Sequence, residues 1–191
     1  APSIVSIESQ SQSEYGTGTG IIMTEDGYII TNAHVVAGAD EVRVALSNNS
    51  VLQASLVGFD ADEDLAVLKV DASGLTPAEF GDSAALRIGD PVAAIGDPLG
   101  YRSTITDGII SALDREVEVD GTTMVLIQTS AAINFGNSGG ALINQYGQVV
   151  GVTTIKIVTE DGSAEALGFA IPTTRVKYVV DRLIDGQVIH T

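Results

Sequence analysis

Short runs of branched and apolar residues, each broken by a turn former, recur along the whole chain. In the first half they fall at 4–7, 20–23, 28–31, 42–46, 51–59 and 65–70. The second half repeats the spacing at 92–95, 103–112, 123–128, 141–144, 148–158 and 167–171. Asp26-Gly27, Asn48-Asn49, Asp120-Gly121, Tyr146-Gly147 and Asp161-Gly162 mark reversals between runs, because these residue types tolerate the left-handed backbone of tight turns. Segments this short and this rich in Val, Ile and Thr read as strands. About a dozen of them, with 21 glycines, predict an all-β chain, closed as barrels or stacked as a sandwich.

A single convincing helix closes the pattern. Val176, Val179, Val180, Leu183 and Ile184 stand at i, i+3, i+4, i+7 and i+8 and form one apolar stripe. Thr173 or Thr174 is placed to cap its start and Gly186 to end it. A shorter helical turn is expected at 33–37. The stretch 75–90 is poorer in strand signal and holds Pro77, Gly81 and Gly89, so it reads as a connection. The expected layout is one domain over 1–191, with a first β half at 1–75, a connection at 76–90, a second half at 91–172 and a helix at 173–186.

Composition narrows the picture. A chain of 191 residues, 45% of them hydrophobic, can bury one sizeable core or two small ones. No apolar run reaches the roughly eighteen residues of a membrane-spanning helix, and no basic stretch followed by an apolar one marks a signal peptide. Cysteine is absent, which removes disulfides, thiol chemistry and thiolate metal sites together. With 25 acids against 9 bases the net charge is -16. Such a surface repels polyanions, so a nucleic-acid partner is not expected.

The strongest chemical signal is Gly136-Asn137-Ser138-Gly139-Gly140. A serine flanked by glycines sits where backbone can turn sharply and approach a carbonyl closely, and the amides of Gly136 and Ser138 can converge on one developing negative charge. By itself the pentapeptide also reads as a glycine-rich hairpin turn. A serine hydroxyl needs a base beside it, and the chain offers two histidines, His34 and the near-terminal His190. His34 follows the strand at 28–30, where a rigid element can hold it. A third group must orient the imidazole, and Asp64 opens the apolar run Leu65-Ala66-Val67-Leu68. Alternation of Asp60, Asp62 and Asp64 suggests a calcium loop only superficially, since Leu65 stands where the sharp-turn glycine belongs and Asp71 where the bidentate glutamate belongs. Neither a metal nor a cofactor is expected. The chain order His34, Asp64, Ser138 is that of chymotrypsin-like enzymes and not of α/β-hydrolases. It predicts two six-stranded antiparallel β-barrels, His34 and Asp64 on the first and Ser138 on the second, followed by the C-terminal α-helix.

These residues resemble the HtrA (Deg) serine proteases over nearly the whole chain. The resemblance is carried by Gly18-Thr19-Gly20-Ile21, Thr31-Asn32-Ala33-His34-Val35-Val36, Asp64-Leu65-Ala66-Val67-Leu68-Lys69-Val70 and Gly96-Asp97-Pro98-Leu99-Gly100. It continues through Gly108-Ile109-Ile110-Ser111-Ala112-Leu113, Ala131-Ala132-Ile133-Asn134, the serine loop and Gly168-Phe169-Ala170-Ile171-Pro172. What it implies is an ATP-independent endoprotease acting on unfolded or regulatory proteins outside the bacterial cytoplasm, in protein quality control or stress response. It further implies a homotrimer and a PDZ domain following the helix. His34 is then the general base, Asp64 its orienting partner and Ser138 the nucleophile, with the amides of Gly136, Asn137 and Ser138 as oxyanion hole. The specificity pocket is expected from Ile133, Asn134 and Phe135, from Thr153, Thr154 and Ile155, and from Leu167 and Gly168, and to favour small or medium aliphatic side chains. Arg115 matches the arginine of a sensor loop coupled to the oxyanion hole, or is an exposed arginine offsetting Asp114 and Glu116. Ser130 and Phe135 depart from the family pattern, and Phe135 is bulky enough to narrow the pocket or hold the loop inactive. The competing expectation is a peptide-binding holdase module of little turnover on the same fold.

Overall fold

A computed structural model describes residues 1–97, 103–154 and 168–186. Six strands close a first barrel: β1 (Ile4–Gln10), β2 (Tyr15–Ile22), β3 (Tyr28–Thr31), β4 (Glu41–Ala45), β5 (Val51–Asp60) and β6 (Leu65–Val70), in the ring order β1-β2-β3-β6-β5-β4. Six more close a second: β7 (Pro91–Gly96), β8 (Thr104–Val119), β9 (Thr122–Thr129), β10 (Ala141–Ile143), β11 (Val149–Thr154) and β12 (Gly168–Pro172), in the order β10-β11-β12-β9-β8-β7. All these ladders are antiparallel. Closure leaves neither barrel with an open edge that could pair with another chain. Two α-helices, α1 (Ala33–Val36) between β3 and β4 and α2 (Thr173–Ile184) after β12, and a 3-10 turn at Ser83–Ala85 complete the described fold. Neither α-helix is long and apolar enough to cross a membrane.

The period of two along each strand decides which core a side chain enters. On β6, Ala66, Leu68 and Val70 fill the first barrel with Val5, Ile7, Ile29 and Val44. The alternate residues Leu65 and Val67 face outward and join Val152, Phe169 and Ile171 of the second barrel. The α2 stripe Val176, Val179, Val180 and Leu183 seals this same layer. Burying a side chain of this kind is worth about 1.5–3 kcal/mol, so the shared layer holds the two barrels rigidly against each other. The second barrel has its own interior of Val92, Ala94, Ile110, Ile127, Leu142 and Val150.

Two expectations need correction. Strand β8 does not stop near Ala112 but runs to Val119 and turns back through Asp120 (φ 51°) and Gly121 (φ 79°) into β9; two successive left-handed residues match the strand twist in a two-residue hairpin. Thr173 and Thr174 do not cap α2 from the N-cap position, which Pro172 occupies without a side-chain bond. The cap comes instead from the connection: Ser83 Oγ accepts from Thr174 N at 3.1 Å, while Thr173 Oγ1 donates to the Gly81 carbonyl at 3.0 Å. Residues 155–158, expected to continue β11, lie outside the described residues. Gly186, with φ 74°, ends α2 as expected.

Candidate active site

Asp64 is set by local backbone. The turn before β6 is pinned by Glu63 N donating to Asp60 Oδ1 at 3.0 Å, and from behind by Arg175 of α2, whose Nε donates to Glu63 Oε1 at 2.8 Å. Asp64 itself takes a left-handed φ of 52°, a conformation costing a non-glycine residue about 1–2 kcal/mol. That geometry turns its carboxylate into the seam between barrels, where Asp64 is only 1% exposed. The carboxylate is well supplied with donors. His34 N reaches Oδ1 at 3.0 Å, His34 Nδ1 lies 2.8 Å from Oδ2, and Thr154 Oγ1 donates to Oδ2 at 2.7 Å.

His34 sits in the first turn of α1, so Asp64 serves both as a cap for that helix and as the orienting partner of the ring. With Nδ1 bound to an ionised carboxylate, the ring proton sits on Nδ1 and Nε2 is left as an acceptor. Nε2 lies 3.5 Å from Ser138 Oγ. Three side chains from three distant segments therefore meet where the barrels face each other, with the imidazole partly open to solvent and the other two buried.

The serine loop is clamped by close backbone approach. Gly139 has φ +84°, and a Cβ there would stand 2.3 Å from the Thr19 carbonyl oxygen. A Cβ on Gly140 would stand 2.1 Å from the Ile95 carbonyl. Thr19 of β2 stitches the loop to the first barrel: its amide donates to Ser138 O at 3.0 Å and its hydroxyl to Gly136 O at 3.0 Å. Thr153 stitches it to the second, donating through Oγ1 to Asn137 O at 2.6 Å.

In this arrangement the three expected oxyanion-hole amides point inward to Asn134. Gly136 N donates to Asn134 Oδ1 at 2.9 Å, while Asn137 N and Ser138 N each reach the Asn134 carbonyl at 3.2 Å. The Asn134 amide in turn donates to Asn137 Oδ1 at 2.9 Å. The loop thus satisfies its own donors.

The expected pocket residues divide. Gly168 and Ile133 are brought together: a Cβ on Gly168 would lie 2.8 Å from Ile133 Cγ1. Thr153 and Thr154 are buried, with the hydroxyls already described directed at the serine loop and at Asp64, so they support the site from behind where a pocket wall was expected. Phe135 is 80% exposed. Ile155 and Leu167 lie outside the described residues. Arg115 is exposed on β8, opposite Leu126 of β9. Asn32 and Thr19 stood out in the sequence only as parts of motifs. Both are fully buried polar side chains, and a Thr among glycines on a strand is the one signal that marked Thr19. Among the described residues no cluster of three or more acidic or histidine side chains is placed to hold a metal.

Residues 18–152 match the trypsin-like peptidase domain. The chain is 50% identical to the serine protease Do-like HtrB of Bacillus subtilis, an alignment covering 97% of this chain and 45% of that protein. It is 47% identical to a probable periplasmic serine endoprotease, DegP-like, of Halomonas elongata, covering 95% of this chain and 38% of that one. The chain therefore spans less than half the length of these curated relatives. Among solved structures, the HtrA-type protease AlgW with a tripeptide superposes with a TM-score of 0.90 at 41% identity, over 99% of this chain and 62% of that one. The chain belongs to the trypsin-like peptidase domain family, on the side of its HtrA-type serine proteases.

Proposed function

We propose that the chain is the proteolytic domain of an ATP-independent serine endopeptidase. The observation that carries this reading is the meeting of Ser138 Oγ, His34 Nε2 and the Asp64 carboxylate at the barrel seam. His34 takes the Ser138 proton as Oγ attacks a peptide carbonyl, then gives it to the leaving amine. Asp64 stabilises the imidazolium formed between those steps. The acyl group stays on Ser138 until water, activated by His34, releases it.

Turnover also needs a receptor for the tetrahedral oxyanion, and each well-placed amide there contributes about 3–4 kcal/mol to transition-state stability. We assign that role to the amides of Gly136 and Ser138 with Asn137 between them, after the Asn134 carbonyl and side chain release them. Loop order is then a population shift, and Arg115 on the β8–β9 hairpin is the residue proposed to receive its signal. Ile133 and Gly168 form the described part of a mostly apolar specificity wall suited to small or medium aliphatic side chains.

The names of the relatives extend the reading. The Halomonas protein is named a periplasmic endoprotease, and the AlgW structure holds a tripeptide. We place this domain outside a bacterial cytoplasm, acting on unfolded or regulatory polypeptides in quality control or stress response, within a homotrimer and beside a PDZ domain. The test is digestion of denatured casein by the full-length protein. Fragments should form with the wild type and vanish with Ser138→Ala; equal digestion by both proteins defeats the assignment.

A further inference from the structure

Asn32 occupies the N-cap position of α1 yet makes no side-chain cap bond. Asparagine in that position ordinarily caps, at a gain of about 1 kcal/mol, so its amide is committed elsewhere. The side chain is fully buried. Its Nδ2 donates to the Asp64 main-chain carbonyl at 3.1 Å. A carbonyl can only accept, so that bond fixes the amide orientation and leaves Oδ1 facing Ser138. Ser138 Oγ lies 2.8 Å from Asn32 Oδ1.

A hydroxyl has one proton. Oδ1 can only accept, so Ser138 spends that proton on Asn32, and the distance to His34 Nε2 is the longer one, 3.5 Å against 2.8 Å. Two acceptors compete for the proton that attack must deliver to His34. From this geometry we propose that Asn32 is a positioning residue that holds the Ser138 hydroxyl away from His34 in the resting site. The proposal rests on the serine-endopeptidase reading and deepens it: substrate binding must turn the hydroxyl from Asn32 to Nε2 as well as free the loop amides from Asn134. The same fully buried amide ties the serine to the Asp64 turn, so the nucleophile and its orienting acid are registered through one side chain.

The test uses the full-length protein and two variants, one without the competing acceptor and one that keeps it. Asn32→Ala removes it; Asn32→Asp keeps an acceptor oxygen there, with the buried acid's proton donated to the Asp64 carbonyl in place of Nδ2. Second-order labelling by diisopropyl fluorophosphate is measured for each, together with kcat and KM on a chromogenic peptide. Labelling and kcat should rise severalfold in Asn32→Ala and not rise in Asn32→Asp, with KM unchanged in Asn32→Ala because Asn32 is buried. A merely structural role slows both variants, and any result in which Asn32→Ala is not faster overturns the proposal. If neither variant folds, a crystal structure of the resting full-length protein decides: Oγ nearer Asn32 Oδ1 than His34 Nε2 supports it, and the reverse order overturns it. Should the wild type neither label nor cleave, the endopeptidase reading falls and this one with it; a wild type that labels beside unresponsive variants removes Asn32 alone.

Discussion

The Thr154 hydroxyl, carried by β11 of the second barrel, donates at 2.7 Å to Asp64 Oδ2 on the first. The bond crosses the seam on which the site is built and holds the carboxylate against the His34 ring. Hydrogen bonds to charged groups are worth about 1.5–3 kcal/mol. Thr154→Val keeps the volume and removes the donor, so kcat/KM on a peptide substrate should fall by about 10- to 100-fold while the protein stays folded. An unchanged kcat/KM would show that Asp64 is positioned without this bond.

Asp64→Asn tests the tautomer. An amide that presents its NH2 to Nδ1 leaves the ring proton on Nε2, where it cannot accept from Ser138. The expected loss in kcat near neutral pH is about 10⁴-fold, measured by peptide hydrolysis with folding checked by circular dichroism. A loss of less than about tenfold would mean the carboxylate does not set the ring's protonation pattern.

Two glycines with similar backbone separate strain from contact. Gly147 (φ +75°) has nothing within 4 Å of a built Cβ, whereas Gly139 (φ +84°) has the Thr19 carbonyl oxygen at 2.3 Å. Gly147→Ala should cost about 1–2 kcal/mol in urea denaturation, the left-handed penalty alone. Gly139→Ala should cost clearly more and abolish casein digestion, because the serine loop cannot retreat from β2. Equal costs would contradict the close packing of that loop.

Burial pushes the Asp60 carboxyl above the ordinary aspartate range. The native state therefore binds the proton more tightly than the unfolded chain, and the stability this gives is complete below about pH 4 and lost as pH rises through the folded value. Asn at this position keeps the acceptor for Glu63 N without the charge. Asp60→Asn should thus be more stable than wild type at pH 7, with the difference shrinking toward pH 4. A difference that grows on acidification would reverse the sign of the argument.

The short apolar runs that placed twelve strands were legible because a strand packed on both faces, as β6 is with Ala66, Leu68 and Val70 on one side and Leu65 and Val67 on the other, is apolar along its length. The α2 stripe was legible because its buried residues recur at helical spacing. The extension of β8 was not, because only Val117 and Val119, alternating with the exposed Glu116 and Glu118, mark its inward face, too short a run to stand out between charged neighbours. The cap from Ser83 was hidden because its partner is about ninety positions away. Among the site residues, His34, Asp64 and Ser138 could be singled out by chemistry and order. Thr154 and Asn32 could not, because an ordinary polar side chain acquires its role only from what the fold packs beside it. The inward turn of the Gly136, Asn137 and Ser138 amides is likewise a property of loop conformation, which residue types leave open.

Peptide hydrolysis by this domain requires Ser138 to be a nucleophile made reactive by His34. Full-length protein treated with diisopropyl fluorophosphate and mapped by mass spectrometry addresses that directly. One diisopropylphosphoryl group should appear on the peptide containing Ser138, and His34→Ala should suppress it. A preparation that digests casein yet carries no adduct on Ser138, or carries it equally without His34, would contradict the account.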